Sequence, residues 1–167
     1  MKYFVTETYI KVRTAITANA QSDDIIPFVA TASDMWMQPI LGTYFYDDLL
    51  VKYNAQTLSA NETILVAKIQ PCVAWRAASD AVLSLSIQLK NKGLQKQNSD
   101  NSEAVEDSTI SFVMSHYQQK AESYESFLVA WLKENEDLFP EFISDDNTNS
   151  IIKPQKGDNY NSYFRMI

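Results

Sequence analysis

Residues that punctuate a backbone are scarce in this sequence. It holds 3 glycines and 5 prolines in 167 residues, and it lacks strong strand runs of Val, Ile and Thr, which leaves an almost wholly helical protein as the expectation. A single cysteine, Cys72, excludes an internal disulfide. With no charged n-region, apolar h-region or cleavage site at the start, it points to a protein made and folded in a reducing cytosol. No apolar run approaches the roughly 20 residues that span a bilayer, so no membrane partner is expected. Basic residues number 14 against 21 acidic ones, a net charge of −7. That balance makes nonspecific binding to nucleic acid or an anionic membrane a poor default.

What is present is helical periodicity, strongest from Ser59 to Lys92. Ser59-Ala60-Asn61-Glu62 has the form of a capping box. Beyond it Ile64, Ala67, Pro71, Ala74, Trp75, Ala78, Ala81, Val82, Leu85 and Leu89 recur at steps of three and four, as one stripe of a long helix. Its alanines let a neighbouring helix come close, and Gly93 is placed to end it in a left-handed cap. Pro71 predicts either a kink near Ala67–Pro71 or two helices meeting there. A second long helix is expected from about Glu103 to Asn135. Ile110, Met114, Tyr117, Ala121, Tyr124, Leu128 and Trp131 alternate steps of four and three, which fits an antiparallel hairpin with the first. Phe127 and Leu132 widen that stripe, and Gln118, Lys120, Glu122, Glu125 and Lys133 are expected in water.

Shorter helices precede the hairpin. Thr6 is a candidate cap for a helix bearing Tyr9, Ile10, Val12 and Ile16. Ser22-Asp23-Asp24 opens another, with Ile25, Phe28, Val29, Ala32, Met35 and Trp36 on one face and an end near Gln38, because Pro39 disfavours helix before it. Pro39-Ile40-Leu41-Gly42 reads as a tight corner. Thr43 then caps a helix over Tyr44–Asn54 that buries Phe45, Tyr46, Leu49, Leu50 and Tyr53. After the second long helix, Leu138-Phe139-Pro140-Glu141-Phe142-Ile143 is a short apolar segment, and Gln95–Ser102 is polar and loop-like. The domain organisation expected is a helical domain over residues 1–143 followed by an extended C-terminal arm over 144–167. The arm carries Ile151, Ile152, Tyr160, Tyr163, Phe164, Arg165, Met166 and Ile167, an anchor-like set of aromatics, aliphatics and one arginine that forms the candidate partner interface.

Signals for catalysis are few. His116 is the one histidine and reads as an ordinary helix-flank residue, since without a second histidine it makes no metal pair. Cys72 reads as a buried, inert thiol. The pairs Glu122 with Glu125 and Asp47 with Asp48 have the composition of an acid–base site but read better as solvated helix surface. Arg76 and Asp80, one turn apart, pair with each other or else reach a neighbouring subunit. There is no glycine-rich phosphate loop, no Ser/His/Asp arrangement and no cysteine cluster. The expectation is therefore no enzyme, no cofactor and no metal, and a protein that works by contact.

One stretch carries a resemblance. Pro27-Phe28-Val29 through Ala32, Met35-Trp36, Pro39-Ile40-Leu41-Gly42, Tyr46 and Leu49, followed by a long helical hairpin, resembles the head-to-tail connector proteins of tailed bacteriophages. The similarity is to the first ring protein below the portal in crAss-like Bacteroides phages. It extends in arrangement over residues 4–143 and in sequence chiefly over 27–50. The resemblance implies a structural virion protein at the capsid vertex, first met in the bacterial host cytoplasm during assembly. It implies a ring, twelve-membered, that binds the portal above and the next tail or ring component below, and through whose lumen DNA passes and is ejected without specific binding. The acidic balance suits such a wall, because basic contacts to phosphate would retard passage. The alternative reading is a small helical regulatory protein of a phage or mobile element acting on one host partner.

Overall fold

The computed structural model describes residues 3–14, 16, 22–90, 93–96 and 107–142. Its fold is all-α, as the scarcity of strand formers predicts. The helices are α1 (Glu7–Arg13), α2 (Ser22–Ala32), α3 (Gln38–Leu41), α4 (Thr43–Ala55), α5 (Ala60–Ser86) and α6 (Asp107–Glu134). Helix α5 is the centre: α1, α2 and α6 all pack on it.

Local chemistry sets the ends of α5 and α1. Ser59 Oγ accepts from the Glu62 N–H at 3.2 Å, and Glu62 Oε2 accepts from the Ser59 N–H at 2.7 Å, so both halves of the capping box form. Thr6 caps α1 by accepting from the Tyr9 N–H at 3.2 Å. Pro71 does not divide α5, which is helical from Ala60 to Ser86. The C-terminal end differs from expectation. The helix stops at Ser86 rather than Lys92, and Ile87–Lys90 (β1) pairs antiparallel with Gly93–Lys96 (β2), Lys90 opposite Gly93. The alternation Ile87-Gln88-Leu89-Lys90 fits a strand as well as a helix turn, and a two-residue connection is the commonest hairpin length. Gly93 therefore opens a strand instead of capping a helix, and Gln95 and Lys96 belong to that strand rather than a loop.

The buried face of α5 also differs at its start. Ile64 is 49 % exposed and Ala67 is exposed, while Leu65, Val66 and Ile69 are buried. From Pro71 to Ser79 every residue is buried, so this stretch has no solvent face. Small side chains at Ala74, Ala77, Ala78 and Ser79 permit that encirclement. Against it runs α6, antiparallel: Lys68 meets Trp131, Arg76 meets Glu125, and Ser79 Oγ donates to the Met114 carbonyl at 3.2 Å. On α6, Ile110, Tyr117, Ala121, Leu128 and Leu132 are buried as expected, but Phe127 is 69 % exposed and Glu125 is buried.

The register of α2 shifts at a π-helical turn over Ser33–Met37. Ile25, Val29 and Ala32 face the core, and then Ser33, Met37 and Leu41 do, leaving Met35 63 % exposed and Trp36 at the margin. One inserted residue per turn explains why the spacing from Ala32 to Met35 and Trp36 misleads. The chain continues helically past Pro39, which comes just after the π-helical turn and leaves one carbonyl of that turn without an N–H donor. Gly42, at φ +82°, turns the chain into α4 and occupies its N-cap in place of Thr43. Phe45, Tyr46, Leu49 and Leu50 are buried as predicted.

Both flanks close the core with aromatics. Phe4 is fully buried edge-on to Tyr46 and Tyr53, at 5.6 and 5.5 Å, and its carbonyl accepts from Gln70 Nε2 at 2.9 Å. After a 3-10 turn at Glu136–Leu138, Phe139 packs between Phe45 and Trp131 at 5.9 and 5.7 Å. The helical unit thus extends through Phe142, itself buried.

Candidate interaction surface

One buried ion pair, a set of cation-covered tryptophans and one cleft stand out among the described residues. The first lies at the middle of the α5–α6 contact. The Arg76 side chain is buried and donates from Nε to Glu125 Oε1 at 2.7 Å and from Nη2 to Glu125 Oε2 at 2.9 Å, a bidentate pair. Glu122 lies 3.8 Å away on the solvent side, and the guanidinium stacks 3.8 Å above the Trp36 ring. Burial alone would lower the arginine's pKa, but the Glu125 hydrogen bonds and charge more than offset it, and the net shift is upward. Arg76 therefore neither pairs with Asp80 by hydrogen bond nor projects towards another subunit; it ties α5, α6 and the π-helical turn together within one chain. Glu125 is no surface carboxylate. The signal for it was present: Ala121, Glu125, Leu128 and Leu132 themselves step by four, three and four, so a charge on that line needs a partner. Asp80, next to this site, is pushed up by burial, partly opposed by Arg76.

Each of the chain's 3 tryptophans carries a cation on its ring. Arg76 covers Trp36, Lys120 lies 4.2 Å from the Trp75 ring, and Lys68 lies 4.9 Å from Trp131. Lys120 is thereby half-buried rather than free in water.

The cleft, of about 260 Å³, opens between α1, α5 and α6. Arg13, Ala67, Lys68, Pro71, Tyr124, Phe127 and Leu128 line it. Tyr124 and Phe127 stand edge to face at 6.5 Å, and Phe127 is 69 % exposed. Neither Arg13 nor Lys68 has a carboxylate partner among the described residues. At its wall Pro71 has no N–H to give to the Ala67 carbonyl, which therefore lacks its α-helical donor. Sequence periodicity missed this cleft because it assigned Ala67 and Phe127 to buried stripes.

Other candidate residues fall apart. Cys72 is fully buried, and burial pushes its thiol up to about 12, as an inert thiol requires. His116 is exposed and stacks on Phe112 with centroids 6.4 Å apart. Asp48 binds Lys52 at 2.7 Å, and Lys52 also donates to Glu62 at 2.8 Å. No group of three or more His, Cys, Asp or Glu placed to hold a metal occurs among the described residues. Nor is any described helix long and apolar enough to cross a membrane. Ile151, Ile152, Tyr160, Tyr163, Phe164, Arg165, Met166 and Ile167, the predicted partner interface, lie outside the described residues, as does the rest of the arm.

The described residues form a small all-α domain. By sequence the chain belongs to the family of unknown function DUF6712, whose model matches residues 37–152. That span begins at the last residue of the π-helical turn and takes in α3 to α6 and the Phe139 closure. No curated protein and no solved structure matches the chain.

Proposed function

We propose that this chain is a structural connector subunit that assembles with copies of itself into a ring at the head-to-tail junction of a tailed bacteriophage, contacting the portal on one side and the next tail component on the other. The observation that carries the reading is the distribution of exposed apolar side chains. Helix α4 presents Tyr44 and Val51, 79 % and 60 % exposed, and α6 presents Phe112 and Phe127, 71 % and 69 % exposed. A subunit in a closed ring uses two different surfaces, one for each neighbour. Exposed apolar groups spread over several helices, Val12 on α1 and Met35 at the π-helical turn among them, suit that need better than a single patch would. The resemblance over residues 27–50 and the net charge of −7 support the same reading, the latter because an acidic lumen wall does not retain phosphate.

Native mass spectrometry of the purified chain, alone and with the portal protein encoded nearest to it, tests this. The expected result is a defined ring on the portal, lost on substituting Tyr44→Asp or Phe112→Asp with helix content unchanged. A chain that stays monomeric or dimeric with portal present overturns the reading and favours the regulatory protein with a single host partner.

A further inference from the structure

We infer that the α1–α5–α6 cleft is the seat of the chain's own segment Asp158–Phe164 in the unassembled protein. This does not rest on the ring assignment, because it concerns the free chain.

Three features of the cleft meet three features of that segment. The rim carries Arg13 and Lys68, neither with a carboxylate partner among the described residues, and Asp158 opens the segment. The wall carries Phe127, 69 % exposed, and Tyr124 in an edge-to-face pair; Tyr160, Tyr163 and Phe164 supply rings of matching kind, suited to edge-to-face or offset contact with them. The Ala67 carbonyl, deprived of its helical donor by Pro71, offers an acceptor to the side-chain amides of Asn159 and Asn161.

Position favours the segment of the same chain over any other occupant. The last described residues leave the domain beside the cleft, for Phe139 packs on Trp131 and Trp131 lies under Lys68, which lines the rim. Residues 143–157 then connect Phe142 to Asp158, and a chain of that length reaches about 50 Å when extended. A short tether presents its end at an effective concentration on the order of millimolar, so weak individual contacts are enough to fill the cleft.

The test is disulfide trapping in the full-length chain. Ala67→Cys lies in the cleft at an exposed position, and Ser162→Cys lies between the aromatic anchors without removing one; Cys72 is buried and does not interfere. The expected result is a cross-link at monomer mass that forms at least tenfold faster than in a control pairing Ser162→Cys with Val51→Cys on α4. Adding Arg13→Glu should slow trapping several-fold, and adding Asp158→Arg to that variant should restore it. Equal rates for the cleft and control pairs overturn the inference. So does a cross-link found only at dimer mass when separately tagged chains are mixed, which would assign the cleft to a second copy.

Discussion

Arg76 and Lys52 each face two carboxylates from two turns of helix, yet one pair of helices is governed by its cation and the other merely decorated. Arg76 and Glu125 have side chains only 8 % and 9 % exposed, whereas Lys52 and Asp48 are 36 % and 37 % exposed. At the surface, water competes for every contact, and salt screens what is left. In the interior the same chemistry is all-or-none: complete, it fixes how α6 slides along α5, and half-removed, it strands a charge without solvent. The lesson is that the count of ion pairs says little here, and the depth of each says nearly everything.

The sharpest way to break this comparison is to remove one member of each site. Glu125→Ala leaves Arg76 buried without its carboxylate and should cost about 3–4 kcal/mol, a fall in Tm of about 10 °C for a chain of this length. The companion variant Arg76→Leu with Glu125→Leu should recover more than half of that loss, because two apolar side chains need no partner. Urea unfolding followed by circular dichroism checks both; a double variant as unstable as Glu125→Ala would show that the guanidinium stack on Trp36, not the ion pair, holds the site. At the surface site, Ser59→Ala removes one half of the capping box and should cost about 1 kcal/mol. Smallest is the effect of Glu62→Gln. Burial would raise the Glu62 carboxyl, but Lys52 and the Ser59 N–H and hydroxyl outweigh it and hold it below its usual value. Its contribution is therefore present above the unfolded value near 4.5 and is lost as pH falls through the lower folded one. Wild type and Glu62→Gln should differ in Tm at pH 7 and converge as the pH falls below the folded value, with the difference at pH 7 shrinking in high salt. The Arg76 site, with both side chains under a tenth exposed, should show no comparable salt dependence.

Chemical reactivity gives one further measurement. With its thiol near 12 against an ordinary 9.0, native Cys72 should react with iodoacetamide at pH 8 on the order of a thousandfold more slowly than in the urea-unfolded chain.

What could be read in advance follows the range of the forces involved. The capping box at Ser59–Glu62, the Thr6 cap and the α6 stripe from Ile110 to Leu128 are set within one or two helical turns, so spacing alone revealed them. Met35 and Trp36 were misassigned because a single extra residue in the π-helical turn rotates everything beyond it, and no local pattern announces that insertion. Ile64 and Ala67 fell on the wrong side for a related reason: α5 is wrapped by three helices, and where nearly every position is apolar, periodicity does not choose a face. Glu125 and Arg76 each fit a surface position on their own helix, and only the pairing of α5 with α6 puts both on the seam. The cleft was invisible because it is made of residues from three helices, none of which is unusual on its own helix. The end of α5 turned on a tie, since Ile87-Gln88-Leu89-Lys90 satisfies two patterns and the pairing with Gly93–Lys96 decides it.

The cations over the tryptophan rings make the protein its own optical instrument. Indole emission responds to a charge lying over the ring, and the 3 tryptophans are stationed at three different junctions: Trp36 where the π-helical turn meets α5, Trp75 between the long helices, and Trp131 where Phe139 closes the core beside the cleft. Single-tryptophan variants would turn one spectrum into three separate channels. Joining a neighbour, seating a segment and loosening the helix pair would each move a different colour of light.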